Sequence, residues 1–475
     1  MVLIKLDSAA DADGANGANG VKTSGTSAVL HRHLSHEFLP LIRSEGNYLF
    51  LEDGRRVFDA SGGAAVGCIG WGNKRVAQAV MAQILDAPYC ASIFYTTRVH
   101  EELCRSLVNS TNGHMSRAYI VNSGSEAMEA AIKLARQYFL EASPSQPQRT
   151  RFISRKQSYH GITLGALAVG GHELRREKFE PLLMNNVSRV SPCSPFRGKT
   201  AGESDDSYVD RLAKELEDEF VKVGPETVCA FIAEPVVGAA LGCVPAVPRY
   251  FKAMQAVCQK YGALLILDEV MCGMGRTGTL HAWEQEGVVP DIQTIGKALG
   301  GGYQPVAGVL ANHRVIDALE RGTSSFVHGH TYQGHPAGCA AALEVQRIIQ
   351  EEGLLANVRE MGDLLGARLR DKLSKHPNVG DIRGRGLFWG IEFVADEQSL
   401  TPFPAEAHVA MELSELGLNE KYSINVYPGG GSADGIRGDH IIISPAFNVS
   451  REEIETIVST VTRLVSDYFA SENKR

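Results

Sequence analysis

Lys297 stands between an apolar run and a glycine cluster, in Thr294-Ile-Gly-Lys-Ala-Leu-Gly-Gly-Gly-Tyr303. Upstream, Ala263-Leu-Leu-Ile-Leu-Asp-Glu-Val270 reads as a buried strand that ends in acid. Most lysines are solvated surface charges, but small apolar surroundings desolvate the amine, lower its pKa and make it a nucleophile and a base. A carboxylate at a strand end can keep a pyridine nitrogen protonated. A buried lysine can hold an aldehyde as a Schiff base. Together Asp268 and Lys297 point to pyridoxal 5'-phosphate (PLP).

Three further segments carry chemistry at strand ends. Ala118-Tyr-Ile-Val runs into Asn122-Ser-Gly-Ser-Glu126 and then a helix with apolar positions at 128, 131, 132, 135, 138 and 139. Ser123 and Glu126 have the spacing of a capping box. Free backbone N–H groups at Gly124 and Ser125 fit a phosphate, and the same pattern fits simple helix capping. Ser158-Tyr-His-Gly161 follows Arg-Phe-Ile-Ser. Tyr159 there fits a ring stacked on a planar cofactor or a packing residue. Glu234, in Ile-Ala-Glu-Pro, ends another apolar run. It fits an ion-pair partner, or a carboxylate facing the crevice where open α/β sheets bind ligands.

Two segments offer competing chemistry. Gly273-Met-Gly-Arg-Thr-Gly278 matches a dinucleotide fingerprint after a strand, but no clear amphipathic helix follows it. His328-Gly-His-Thr-Tyr-Gln-Gly-His335 gathers three histidines without an acidic or cysteine partner. Its glycines suit a tight loop better than a metal site, so no metal is expected.

The elements that position these residues alternate. Apolar runs at 118–121, 151–154, 228–233 and 263–267 are separated by helical stretches at 99–109, 125–140, 207–221 and 248–261. That alternation predicts an α/β fold, a mainly parallel sheet between helices. Residues 47–59 form a hairpin pattern around Glu52-Asp-Gly54, and a helix is predicted over 74–86. Residues 193–206 read as a surface loop. Beyond 330 the pattern predicts helices at 336–350, 354–374 and 450–470 and strands at 386–394 and 440–444, an α+β unit. The expected organisation is a tail at 1–28, an N-terminal part of a smaller domain at 29–85, a large cofactor-binding domain at 86–330 and the rest of the small domain at 331–475.

Bulk properties exclude several classes. The 475-residue chain is 44% hydrophobic and 21% charged, with a formal net charge of −8. It has no long basic run to serve nucleic acid or an anionic membrane surface. No apolar stretch approaches the roughly 18 residues that span a bilayer. Nine cysteines lack any Cys-x-x-Cys spacing, as in a reducing compartment. The N-terminal segment has no signal-peptide core and carries Asp7, Asp11 and Asp13, so a disordered tail and a cytoplasmic location are expected.

Taken jointly, Asn-Ser-Gly-Ser-Glu-Ala at 122–127, Tyr-His-Gly at 159–161, Glu-Pro at 234–235, Leu-Asp-Glu-Val at 267–270, Gly-Lys-Ala-Leu-Gly-Gly-Gly at 296–302 and His-Thr-Tyr-Gln-Gly-His-Pro at 330–336 resemble the class III (ω-) aminotransferases. The order agrees from about residue 40 onward. The resemblance implies PLP fold type I, with a small α+β domain beside the large one, and a homodimer with shared active sites. Lys297 would carry the cofactor and move a proton, and Asp268 would pair with the pyridine nitrogen. Tyr159 and Val270 would cover the two ring faces. Gly124 and Ser125 would hold the phosphate, joined by Thr331 of a second subunit.

Departures from the family pattern bear on substrate. Ornithine- and GABA-type members carry an arginine where this chain has Ile442, which weakens a 2-oxoglutarate assignment. Arg437 lies where amine:pyruvate-type members keep a mobile arginine; it also fits a surface loop charge. Met271 replaces a glutamine that touches the ring hydroxyl, and Ala65 an aromatic that walls the pocket. With Phe94 and Tyr95 nearby in motif order, an apolar pocket is expected. The expected reaction moves an amino group from an amine or ω-amino compound to a keto acid, pyruvate ahead of 2-oxoglutarate. The alternatives are an aminomutase, racemase or decarboxylase on the same fold and, behind these, a nicotinamide oxidoreductase.

Overall fold

Seven strands form the central sheet, in the spatial order Met115–Val121, Ala307–Asn312, Ile292–Ile295, Leu264–Asp268, Val228–Ala233, Arg151–Arg155 and Val187–Val190. The structure is a computed structural model and describes residues 28–34 and 36–472. The expected tail lies almost wholly outside those residues. Within the sheet only Ala307–Asn312 runs against its neighbours; the other six strands are mutually parallel. Strand Val228–Ala233 and strand Leu264–Asp268 are buried at every position. This is why both read as continuous apolar runs, since helices cover both faces of a parallel sheet.

The helices start where their caps dictate. Ser123 accepts from the Glu126 N–H at 3.2 Å and opens the helix Gly124–Glu141. Glu126 reaches back to the Asn122 N–H at 2.8 Å, one residue earlier than a standard capping box. Asn73 accepts from Arg75 and Val76 at the start of Lys74–Asp86. Gly124–Glu141 buries Met128, Ala131, Ile132, Ala135 and Phe139 against the sheet. Each large apolar side chain so buried contributes roughly 1.5–3 kcal/mol.

Two four-stranded sheets and a two-stranded one, Val236–Val237 with Val244–Pro245, complete the residues from Leu41 onward, which form one compact unit. In the first, Leu41–Glu45, Tyr48–Leu51 and Arg56–Asp59 form an antiparallel meander, and Ile424–Asn425 joins it parallel to Phe58–Asp59. The hairpin turns at Gly54 with φ of 87°. In the second, Val379–Gly384, Trp389–Phe393, Asp439–Ile443 and Tyr427–Gly430 are all antiparallel. In the separate unit that ends at Pro40, the His31 and Phe38 rings stack with centroids 4.2 Å apart.

Several expectations need correction. The predicted strand at 386–394 is the second arm of a hairpin, and its first arm, Val379–Gly384, was not expected. Gly386 turns between them with φ of 58°; a Cβ there would lie 2.6 Å from the Thr277 carbonyl carbon. The loop at 193–206 contains a short helix, Pro195–Gly198, packed on the Tyr208 hydroxyl. Strands Val187–Val190, Ile292–Ile295 and Ala307–Asn312 and the helix His313–Arg321 also went unpredicted.

Candidate active site

Parallel strands bring their carboxyl ends to one edge, where open α/β sheets bind ligands. A cavity of about 410 Å³ lies along that edge. Asn122 to Ser125 reach it from one strand end, Tyr159 to Gly161 from a second and Glu234 from a third. Asp268 and Lys297 arrive from two more. Because Ala307–Asn312 runs antiparallel, its leading residues Pro305 and Val306 arrive at the same edge.

One end of the cavity suits an anion. The first two N–H groups of the helix Gly124–Glu141, at Gly124 and Ser125, have no acceptor among the described residues, and both residues line the cavity. The Ser125 hydroxyl accepts from the Ile162 N–H at 3.0 Å, tying the loop after Tyr159 to this helix start. A Cβ on Gly124 would come within 2.7 Å of Val270 Cγ1, so only glycine lets the two segments close up.

The middle is built around Asp268, which is 4% exposed. Its Oδ1 accepts from the Val270 N–H and from the Thr294 hydroxyl, both at 3.0 Å. Asp268 and Thr294 are register partners on adjacent parallel strands. Its Oδ2 lies 2.8 Å from His160 Nδ1. His160 is a site residue that the sequence reading passed over in favour of Tyr159. The signal was available: a histidine directly after the presumed stacking tyrosine, at the end of a strand. His160 Nε2 is buried with no partner. The geometry makes Nδ1 the donor and leaves the carboxylate lone pairs toward the cavity free for a ring N–H.

Lys297 lies half-buried on the cavity wall with φ of 45°, a left-handed conformation that non-glycine residues seldom adopt. Its amine forms no hydrogen bond or ion pair among the described residues. Burial lowers its pKa, against the pull of Asp268 and Glu234. The amine is thereby shifted toward the unprotonated, nucleophilic form. Glu234 is buried; burial raises its pKa, with His160 acting in the opposite direction. It accepts from the Tyr159 N–H at 3.0 Å and the Gly238 N–H at 3.3 Å, so it fixes the backbone that carries the Tyr159 ring.

An anion cradle, a carboxylate for a ring nitrogen and an uncommitted amine thus share one cavity. A phosphorylated pyridine aldehyde meets a fitting partner at each of its three functional groups.

Other expected site residues sit elsewhere in this chain. Ala65 is fully buried with φ of 60°, packed with Met271, Phe388 and Ile442, and Val66 faces the cavity in its place. Met271 lines the cavity. Phe94 and Tyr95 are 76% and 70% exposed, on the segment between Lys74–Asp86 and Arg98–Asn109, and do not reach the cavity. Thr331 is exposed outside it. Arg437 is an exposed loop residue whose Nε donates to Asp434 at 2.7 Å, also outside the cavity.

The competing motifs have structural roles. Residues 273–278 form turns, and Arg276 is buried, donating to the carbonyls of Gly67, Leu387 and Pro445. Only the four-residue helix Trp283–Glu286 follows, so no dinucleotide loop forms there. His328 Nδ1 lies 2.9 Å from Lys133 Nζ, and the Gly334 N–H donates to the Ile120 carbonyl.

Comparison with known proteins gives the family. The profile of the family "Aminotransferase class-III" matches residues 30–463. An aminotransferase of Gibberella zeae is 53% identical over 437 residues, 92% of this chain and 85% of that protein. The thermostable (S)-enantioselective omega-transaminase of Thermomicrobium roseum superposes with a TM-score of 0.85 at 33% identity, covering 92% of this chain and 96% of that one. The omega-transaminase of Pseudomonas jessenii, solved in complex with PMP, superposes with a TM-score of 0.84 at 32% identity, covering 90% and 92%. These structures share the PLP-dependent fold type I, an α/β fold with a mixed sheet between helices. The chain belongs to the class III aminotransferases, a PLP-dependent family of transaminases.

Proposed function

We propose that this enzyme binds PLP in the cavity at the sheet edge and moves an amino group from an amine or ω-amino compound to a keto acid, pyruvate in preference to 2-oxoglutarate. The observation that carries the reading is the convergence of Lys297, Asp268 and the free N–H groups of Gly124 and Ser125 on one cavity. When bound, PLP supplies an electron sink that stabilises negative charge on the substrate carbon bearing nitrogen. Lys297 Nζ would hold the cofactor aldehyde and, once displaced by the donor amine, carry the proton between substrate and cofactor carbons. Asp268 would keep the ring nitrogen protonated, with His160 and Thr294 orienting its carboxylate. Gly124 and Ser125 would take the phosphate. Tyr159, positioned by Glu234, and Val270 would hold the ring.

Substrate choice rests on charge. Ile442 is fully buried in an apolar cluster with Phe388 and Met271, so no cation stands there for a second carboxylate. That supports a monocarboxylic keto acid. Phe94, Tyr95 and Thr331 support a homodimer: with Tyr89, Ile93 and Tyr332 they are exposed in the single chain, and a second copy would bring them to its cavity. A cytoplasmic location is supported by nine free cysteines. Among the described residues no helix is long and apolar enough to cross a membrane. The test is transfer of labelled nitrogen from an amine panel to pyruvate and to 2-oxoglutarate. Label in alanine confirms the reading; isomerised or decarboxylated substrate without a keto product replaces it with the alternative chemistry on the same fold.

A further inference from the structure

A second cavity, of about 1040 Å³, has more than twice the volume of the one at the sheet edge, about 410 Å³, and shares no lining residue with it. It is a valley between the helices Arg98–Asn109, Pro336–Glu351 and Leu354–Leu373. The first two each turn one face to it. Glu102, Arg105, Ser106 and Asn109 follow the i, i+3, i+4, i+7 spacing of a single helix face, and so do Leu343, Gln346, Arg347 and Gln350.

The charges in this valley do not balance. Its one carboxylate, Glu102, is spent on Arg347 at 3.3 Å. Arg105 forms no hydrogen bond or ion pair among the described residues. Arg359 makes one hydrogen bond, from Nη1 to the Gly278 carbonyl at 2.6 Å, and meets no carboxylate among those residues. Two guanidinium groups therefore stand without a counter-ion, in a chain whose formal net charge is −8. The side-chain amides of Asn109 and Gln350 are also without hydrogen-bond partners among the described residues. Leu280, Leu343 and Leu355 add apolar surface.

This lining describes its ligand. A phosphate monoester carries close to two negative charges at pH 7 and presents oxygens to a guanidinium fork. A monocarboxylate would balance only one of the two arginines. The free amides suit a body with hydrogen-bonding groups, and the leucines suit a flat face. A mononucleotide has all three features.

Hydrogen bonds lead from the valley to both members of the catalytic pair. Gln346 Nε2 donates to the carbonyls of Ala298 and Leu299 at 3.0 and 2.9 Å, directly after Lys297. Ser110, on the opposite wall, has its Oγ 2.9 Å from His281 Nε2. Gln293 Nε2 donates to His281 Nδ1 at 3.0 Å and to Glu269 at 2.9 Å, and Glu269 adjoins Asp268. An occupant that bridges the helices shifts Gln346 and the backbone it holds.

We infer that the valley is a regulatory site for a mononucleotide, read at Lys297 through Gln346. The assignment does not depend on the proposed amino transfer, because ligand binding and cofactor affinity are both measured without turnover.

The test titrates holoenzyme with AMP, adenosine and inorganic phosphate by calorimetry, on wild type and on R105E, where an exposed, unpaired side chain is reversed in charge. AMP binds at least tenfold tighter than adenosine or phosphate, and R105E weakens it at least tenfold. No binding of AMP, binding no tighter than that of inorganic phosphate, or equal affinity in R105E overturns the site. Titration of apoenzyme with PLP, with and without saturating AMP, tests the link to Lys297. In wild type AMP shifts PLP affinity at least threefold, and AMP affinity differs by the same factor between apo and holo forms, as linkage requires. At the same AMP concentration R105E shows no shift. Unchanged PLP affinity in wild type overturns the regulatory role. So does a shift that persists in R105E, which would place AMP in the phosphate cradle at Gly124.

Discussion

Replacing Gly124 with alanine tests the cofactor cradle at its tightest point. A Cβ at 124 would lie 2.7 Å from Val270 Cγ1 and 3.1 Å from Cγ2, closer than van der Waals contact allows. On its other side Val270 packs over the backbone of Gly296, close enough that a Cβ added there would lie 3.3 Å from Val270 Cγ1. Valine is also stiff at χ1. The helix start must therefore shift by several tenths of an ångström, carrying the N–H groups of Gly124 and Ser125 off the phosphate. Overpacking of this kind costs about 1–3 kcal/mol. Borne by the holo form, that is a loss of roughly 5- to 150-fold in PLP affinity at about 1.4 kcal/mol per decade. Titration of apoenzyme with PLP, read by visible absorbance, gives the ratio. The double variant G124A/V270A reopens the space and recovers most of the loss. Wild-type affinity in G124A, or no recovery in the double variant, would show that the Gly124–Val270 approach does not shape the phosphate site.

Other consequences follow from named contacts. H160L strips the donor from a buried carboxylate oxygen of Asp268, an omission that costs about 1–3 kcal/mol; PLP affinity should fall about tenfold, and unchanged affinity would reduce His160 to a space filler. Burial pushes His281 down to about 4 and His440 down to about 3, each from 6.5, so both stay neutral in the fold. Folded-state values depressed below the unfolded ones mean that stability is whole above pH 6.5 and lost as pH falls toward 4 for His281 and toward 3 for His440, by roughly 3 and 5 kcal/mol at full titration. Melting temperatures that stay flat from pH 7 to 4.5 would contradict this. R437A should change the half-saturating pyruvate concentration less than twofold, because Asp434 already holds that side chain; a tenfold rise would show that Arg437 leaves Asp434 to meet substrate.

The sheet and most of its site were legible because parallel strands buried on both faces read as apolar runs, and an acid at such a run's end lands at the ligand edge. Asp268 and Glu234 were found that way, Gly124 by the helix start it opens and Lys297 by its small apolar surroundings, and all four line one cavity. Ala307–Asn312 was not found, since Ala-Gly-Val-Leu-Ala-Asn has the small residues of a helix or a loop and pairs antiparallel across its whole length. Val379–Gly384 hid behind two glycines and two charges; its Arg383 is satisfied by Glu392 on the neighbouring strand, by Asp381 on its own and by the Leu241 and Gly242 carbonyls, and only the first of these pairings is a strand contact. Ala65, expected on the pocket wall, is buried with φ of 60°, and its neighbour Val66 lines the cavity. His160 needed the third dimension: its strand and that of Asp268 are separated by Val228–Ala233, and only the sheet order brings the two side chains within 2.8 Å.

Everything proposed for the cavity turns on Lys297 holding the cofactor. Borohydride reduction of holoenzyme, followed by peptide mass spectrometry, tests it directly. The visible absorbance should disappear and a reduced pyridoxyl phosphate mass should appear on the peptide containing Lys297, absent in K297A. No visible absorbance in the purified protein, or the added mass on a different lysine, would contradict it.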